Sequence, residues 1–391
     1  MPIVLNKFKL STKSISTFAP NFYMKTKRFI KHLMRTLQIG NLKPHLPIIQ
    51  GGMGVGISLS GLAAAVANEG GIGVISATGL SLLYAKASEG YVEAGNRGLA
   101  EEIRKAREKS DGIIGVNIMV ALTNFTELVK TSIAEKVDIL FCGAGLPLDL
   151  PSFLTEGCNT KLVPIVSSAR AAKLICQKWV TSYQYLPDAI VIEGPKAGGH
   201  LGYKESQLED EYFSLEVQLP LVIAEVSVFE AKYHKPIPVI AAGGIYTGED
   251  IFHMMKLGAS GVQMGTRFVA TIECDAANAF KELYVGTRQQ DIEIIKSPVG
   301  MPGRAIHSPF LQKVKDGMEH PRLCPYHCIK ACDNKTSPYC IALALFHAYK
   351  GNFEKGFAFA GSNAFRVEHI VTVKETMREL NREFQKCLST E

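Results

Sequence analysis

The sequence has no apolar run near the ~20 residues that a membrane-spanning helix needs. Gly61 to Val66 and Ile341 to Phe346 are short, and glycines or charges interrupt them. No membrane partner is expected. Acidic residues are missing from positions 1–35, which hold eight Lys and Arg, so the net charge of +6 resides in this leader and the remainder is close to neutral. In that remainder basic residues alternate with acids and lack interleaved aromatics, which argues against a nucleic-acid groove. A G-x-G-x-x-G fingerprint is also lacking, as is an acid at the end of the second strand, and this removes the dinucleotide-fold reading. Cys324, Cys328, Cys332 and Cys340 do not follow the paired spacing of zinc knuckles, and Pro325 and Pro338 break the local regularity, so they read as buried thiols and no metal is expected. The total of nine cysteines is odd, which fits reduced thiols in a cytoplasm better than a disulfide framework.

What is present is enough for one large core: 391 residues, 47% of them hydrophobic. Eight short β-rich runs recur, at Pro47–Gln50, Ile72–Ser76, Ile113–Ile118, Ile139–Cys142, Leu162–Val166, Ala189–Ile192, Pro238–Ala241 and Gly261–Met264. Helix-like segments alternate with them. Near-continuous apolar strands of this kind predict a parallel sheet covered on its outer face, and eight units suffice for an α/β fold of the (β/α)8 TIM barrel type. An open doubly wound sheet is the alternative. Ser60, Thr123 or Asn124, Ser168 and Thr247 are placed to cap helices. Residues 1–40 read as a basic extension, or as sequence ahead of a start at Met24 or Met34, with organelle import as the other choice. Residues 41–310 would form the barrel and 311–391 a C-terminal helical subdomain, set over the loop face or packed as support.

Three strand-to-glycine turns carry the chemistry. Val191 to His200 ends a buried strand in a glycine-rich turn and presents one titratable side chain, where a barrel enzyme positions a base. Ala241-Ala242-Gly243-Gly244 and Gln263-Met264-Gly265-Thr266 are paired loops able to hold a phosphate with backbone N–H groups. A fourth, Gln50-Gly51-Gly52-Met53-Gly54, leaves the first strand through glycines that let backbone approach a flat ligand. Asn117, a polar residue in an apolar strand, requires a partner. Cys142, at the end of the fourth strand, is expected to point into the same mouth as a small packing residue, and Ser167-Ser168 to cap a helix.

Ile49 to Gly54, Gly115 to Asn117, Glu193 to Gly202, Ala241 to Ile245 and Gln263 to Phe268, in this order, resemble the nitronate monooxygenase (2-nitropropane dioxygenase-like) family, which also contains flavin-dependent enoyl-ACP reductases. The similarity spans about residues 45–310. It implies a barrel that binds FMN, with Gly52, Met53 and Gly54 bordering the ring and Asn117 and Glu193 bonding to it. Gly198 would line the cleft, and Gly243, Gly244, Gln263, Gly265 and Thr266 would hold the phosphate. His200 falls on the family's catalytic histidine. An imidazole of near-neutral pKa there would remove the proton α to a nitro group.

The resemblance thus implies an FMN-dependent oxidoreductase that oxidises alkyl nitronates with O2. Where the monooxygenase branch commonly has Gln, this chain has Glu193, as the reductase-like branch does, and NAD(P)H-dependent enoyl-ACP reduction is the alternative. From other classes come a non-redox barrel isomerase or synthase and a non-catalytic flavin sensor. The expected partner is a small molecule in the cytoplasm, and a homodimer is left open.

Overall fold

The computed structural model describes residues 37–321, 324 and 326–390. The basic leader up to residue 36 lies outside the described residues. From Thr36 on, the chain forms one compact unit. Its strands are β1 (Ile48–Gln50), β2 (Ile72–Ser76), β3 (Ile113–Met119), β4 (Ile139–Gly143), β5 (Lys161–Val166), β6 (Ile190–Glu193), β7 (Gly199–His200), β8 (Val239–Ala242), β9 (Gly261–Met264), β10 (Ile292–Lys296) and β11 (Pro302–Ile306). The eight apolar runs of the sequence become β1–β6, β8 and β9, which close into a parallel barrel in that order. β1 completes the ring by pairing with β9 from Ile48↔Val262 to Gln50↔Met264. The chain is therefore a (β/α)8 barrel, and the open-sheet alternative falls.

Alternation along each strand fills the interior. Ile49, Ile72, Val74, Ile139, Phe141, Val163, Ala189, Val191, Ile240 and Ala242 form one buried cluster, and Leu37 and Ile39 join it. The segment set apart from the fold up to residue 40 thus contributes its last residues to the core. The same alternation corrects the expectation for Cys142: Phe141 occupies the interior, so Cys142 is turned to the other face of β4, fully buried and away from the mouth.

Several helix starts are supported from a distance rather than by the residue next to them. Leu59 precedes the helix Ser60–Asn68 and no neighbouring side chain caps it. Instead the Asp275 carboxylate accepts from the N–H groups of Leu59 (2.7 Å), Gly61 (3.1 Å) and Leu62 (3.1 Å). Neither does Asn124 cap the helix Phe125–Ala134. Thr247 and Ser168 do act as caps, accepting from Asp250 N–H and Ala171 N–H.

The eight-strand ring would have a weak seam at β1 and β2, whose register is the single pair Ile49↔Ile72. The buried Gln50 amide extends it: Oε1 accepts from Val74 N–H at 3.0 Å, and Nε2 donates to Val74 C=O at 3.2 Å. Replacing Gln50 by Leu leaves both backbone groups buried without partners, each costing about 1–3 kcal/mol. Urea unfolding of Gln50→Leu is expected to show a loss of about 2 kcal/mol or more, and an unchanged midpoint would mean that the seam does not depend on this amide.

Candidate functional site

At the C-terminal ends of the barrel strands lies a cavity of about 260 Å³, partly open to solvent. Every residue that the resemblance assigns to the flavin site borders it: Gly52, Met53 and Gly54 after β1, Asn117 on β3, Glu193 on β6, Gly198 and His200 beyond it, Gly243 and Gly244 after β8, and Gln263, Gly265 and Thr266 at the end of β9. The reason for glycine at position 52 differs from the expected one. A Cβ there would stand 2.3 Å from Asn117 Cβ, so the residue lets the loop lie down on β3. Gly243 and Gly244 have φ of 93° and 85°, left-handed values that strain any other residue.

The roof of the cavity comes from elements outside the ring of eight strands. β7 does not belong to the ring: it joins β10 and β11 in an antiparallel sheet ordered β10-β11-β7, with His200 opposite Gly303 and Gly199 opposite Arg304. Arg304 is buried and donates through Nη1 to the carbonyls of Pro195 (2.5 Å) and Ala197 (2.9 Å), fixing the turn that leads to the histidine. Gly198 then meets Ala360 and Gly361 backbone to backbone, since a Cβ on it would lie 2.5 Å from both. Ile341, Ala342, Leu345 and Phe359 complete the wall. Residues beyond 311 therefore cover the loop face.

His200 is held on two sides. Its Nε2 is 2.8 Å from Ser297 Oγ, and its ring meets Phe359 edge-on with centroids 4.8 Å apart. Ser297 Oγ also accepts from Val299 N–H at 3.3 Å, and its own proton is donated to Nε2 when the ring proton sits on Nδ1. Burial pushes the imidazole down to about 4, well below the near-neutral value expected from sequence. The ring is uncharged at neutral pH.

Glu193 is shifted the other way for the same reason: burial raises its carboxyl to about 7. No donor among the described residues reaches that carboxylate, because the Tyr203 hydroxyl beside it bonds at 2.8 Å to the backbone oxygen of Glu193 instead. An acceptor deep in a cavity and lacking a partner fits a ligand with a ring N–H. Ser297, Arg304 and Phe359 were missed by the sequence reading. Arg304, a cation inside the apolar run Ala305-Ile306 and its neighbours, is the one of these whose type and setting gave a signal.

Two outcomes follow. A carboxyl whose folded pKa lies above its ordinary 4.5 contributes most stability below pH ~4.5, and this is lost as pH rises through about 7. Glu193→Gln is therefore expected to raise the thermal midpoint of the ligand-free protein more at pH 8 than at pH 5, and an equal effect at both would refute the burial argument. Arg304→Met leaves two buried carbonyls unpaired, so we expect a loss of about 2 kcal/mol or more in chemical denaturation and faster hydrogen exchange across residues 195–200.

Comparison with known proteins agrees with this architecture. A curated relative in Rhodococcus jostii RHA1, (3aS,4S,5R,7aS)-5-hydroxy-7a-methyl-1-oxo-octahydro-1H-indene-4-carboxyl-CoA dehydrogenase, is 28% identical over 69% of this chain. The alignment spans 65% of that relative's length, slightly under two thirds. A probable nitronate monooxygenase of Staphylococcus aureus strain Newman is 27% identical over 68% of this chain and 77% of its own. Among solved structures, FabK from Thermotoga maritima superposes with a TM-score of 0.69 at 29% identity, covering 91% of this chain and 98% of that one. The nitroalkane oxidase from Streptomyces ansochromogenes shares the fold at 20% identity, with a TM-score of 0.68 over 89% of this chain and 98% of that one. The family description for nitronate monooxygenase matches residues 35–136 and 122–383, and the chain belongs to that family of oxidoreductases.

Proposed function

We propose that the cavity binds FMN and that the protein oxidises alkyl nitronates with O2, His200 facing the substrate. The observation that carries this reading is the half-buried Glu193 carboxylate, which no donor among the described residues reaches, in the same cavity as a neutral imidazole and the left-handed Gly243-Gly244 turn. Gly243, Gly244, Gln263, Gly265 and Thr266 would hold the phosphate end, Gly52, Met53 and Gly54 would border the ring, and Asn117 and Glu193 would bond to its polar edge, with Gly198 beside it. Bound FMN supplies the two-electron redox chemistry that no side chain here offers. The non-redox isomerase or synthase reading is not taken further.

His200 has two tasks in this scheme. With a nitroalkane, Nε2 accepts the proton from the carbon next to the nitro group, exchanging its contact with Ser297 for one with substrate. With a nitronate, which has already lost that proton, the imidazole only orients the anion. Burial lowers its basicity by roughly two units or more, so nitronates should turn over faster than the parent nitroalkanes. The roofed cavity limits access of water to the reacting atoms.

A second reading, NAD(P)H-dependent reduction of an enoyl thioester, is favoured by Glu193 itself and by the likeness to FabK and to a carboxyl-CoA dehydrogenase. Anaerobic spectra separate the two. The expected result is bleaching of the yellow protein by propionate-3-nitronate alone; bleaching only by NADH or NADPH, with recovery on adding an enoyl thioester, would replace the monooxygenase reading. His200→Asn should lower nitroalkane turnover by about 10²-fold or more and nitronate turnover less. A protein that binds FMN but responds to none of these reagents is a sensor.

A further inference from the structure

The loop between the helices Pro309–Lys315 and Ile341–Tyr349 contains Cys324, Cys328, Cys332 and Cys340, all of them free of disulfides. Among its described residues it forms no regular element, only an isolated bridge between Ile329 and Leu122. Yet it supplies Cys328 and Ile329 to the cavity wall. A long segment without helix or strand inside a compact unit needs another source of order.

The thiols do not fit the buried-core reading taken from sequence, because each is only partly buried. They lie together: Cys328 has Cys340, Cys324 and Cys332 as electrostatic neighbours, and Cys340 has Cys324 and Cys332. Tyr91, on the cavity wall, is influenced by Cys328, Cys324 and Cys340. The backbone turns around the first of them, His327 N–H donating to Cys324 Sγ at 3.4 Å with His327 at a left-handed φ of 41°. Cys340 directly precedes the helix Ile341–Tyr349, whose Ile341 and Ala342 also face the cavity.

A donor set made only of sulfur selects zinc, copper(I) or an iron–sulfur cluster. Among the described residues no three His, Cys, Asp or Glu side chains are grouped to hold a single metal ion. A cluster spans a wider set of thiols than one ion does, since each sulfur meets a different iron.

We propose that Cys324, Cys328, Cys332 and Cys340 bind a four-iron, four-sulfide cluster at the rim of the cavity. Each thiol loses one proton to solvent and forms one iron–sulfur bond, so a cluster core of charge 2+ becomes a tetrathiolate complex of charge 2−, with four protons released. Two ferrous ions, two ferric ions and four sulfides are the co-reactants, so the 2+ core forms with no further oxidant. The centre ties the loop to itself and to the helix Ile341–Tyr349, and it does not rest on the flavin reading.

The test is iron and acid-labile sulfide analysis of the full chain, purified anaerobically and reconstituted with ferrous and ferric iron and sulfide. About four of each per chain are expected, falling to background in Cys332→Ser and Cys340→Ser but retained in Cys158→Ser. Should the serine variants fail to fold, maleimide labelling of the unaltered protein decides: the four thiols should be protected until a chelator is added. Background iron and sulfide, zinc alone, or labelling of these thiols as fast as Cys158 overturns the proposal. Loss of FMN with the cluster retained would count against the flavin reading only.

Discussion

The geometry of the site depends on one buried cation. Arg304 places its guanidinium under the turn that leaves β6 and donates to the Pro195 and Ala197 carbonyls, while its own backbone pairs with Gly199. Removing a guanidinium from water is costly unless its donors find acceptors, and here the acceptors are the loop it organises. Burial depresses its pKa, and Glu209 opposes that shift. Once this turn is fixed, Gly198 can touch Ala360 and Gly361, and His200 comes to lie between Ser297 and Phe359. A barrel strand end alone would leave the histidine on a mobile loop; the added sheet makes its position a property of the fold.

That position sets the electrostatics. Glu193 and His200 are shifted in opposite directions by the same cause, burial, and no charged neighbour contributes to either shift. The cavity therefore favours neutral forms of both groups, and a ligand is recognised through hydrogen bonds more than through ion pairs. An anion entering next to His200 would raise the imidazole's proton affinity, and an N–H reaching Glu193 would favour its ionised form. The resting protein is thus poised for a ligand that brings polarity with it.

Much of this was legible in the sequence because strand ends announce themselves. An apolar run that stops at glycine marks both a barrel strand and its functional rim, and so the strand-end residues from Gly52 to Thr266 that the resemblance assigns to one site gather around one cavity. The roof was less legible. Ser297, Arg304 and Phe359 act through pairing between segments far apart in the chain, for which short-range periodicity has no signal. Cys142 was turned the wrong way because alternation was not counted from Phe141, whose ring fills the interior. The cap expected from Ser60 failed for a related reason: Asp275, distant in the chain but following the neighbouring strand β9, reaches the helix start.

The division between rim and roof also bears on specificity. The glycine turns and strand-end polar groups follow from the barrel, so any member with this rim would present a similar face to a bound cofactor. The relatives named above act on dissimilar compounds, one of them a carboxyl-CoA, and the rim offers little from which such differences arise. The opposite wall is another matter. Ile329, Ile341, Ala342 and Leu345 come from a loop and a helix that no barrel strand dictates, and their side chains are apolar. On the proposed function, substrate shape is set where the fold constrains the sequence least, and the order of the cysteine loop becomes a condition for that wall to have one shape rather than many.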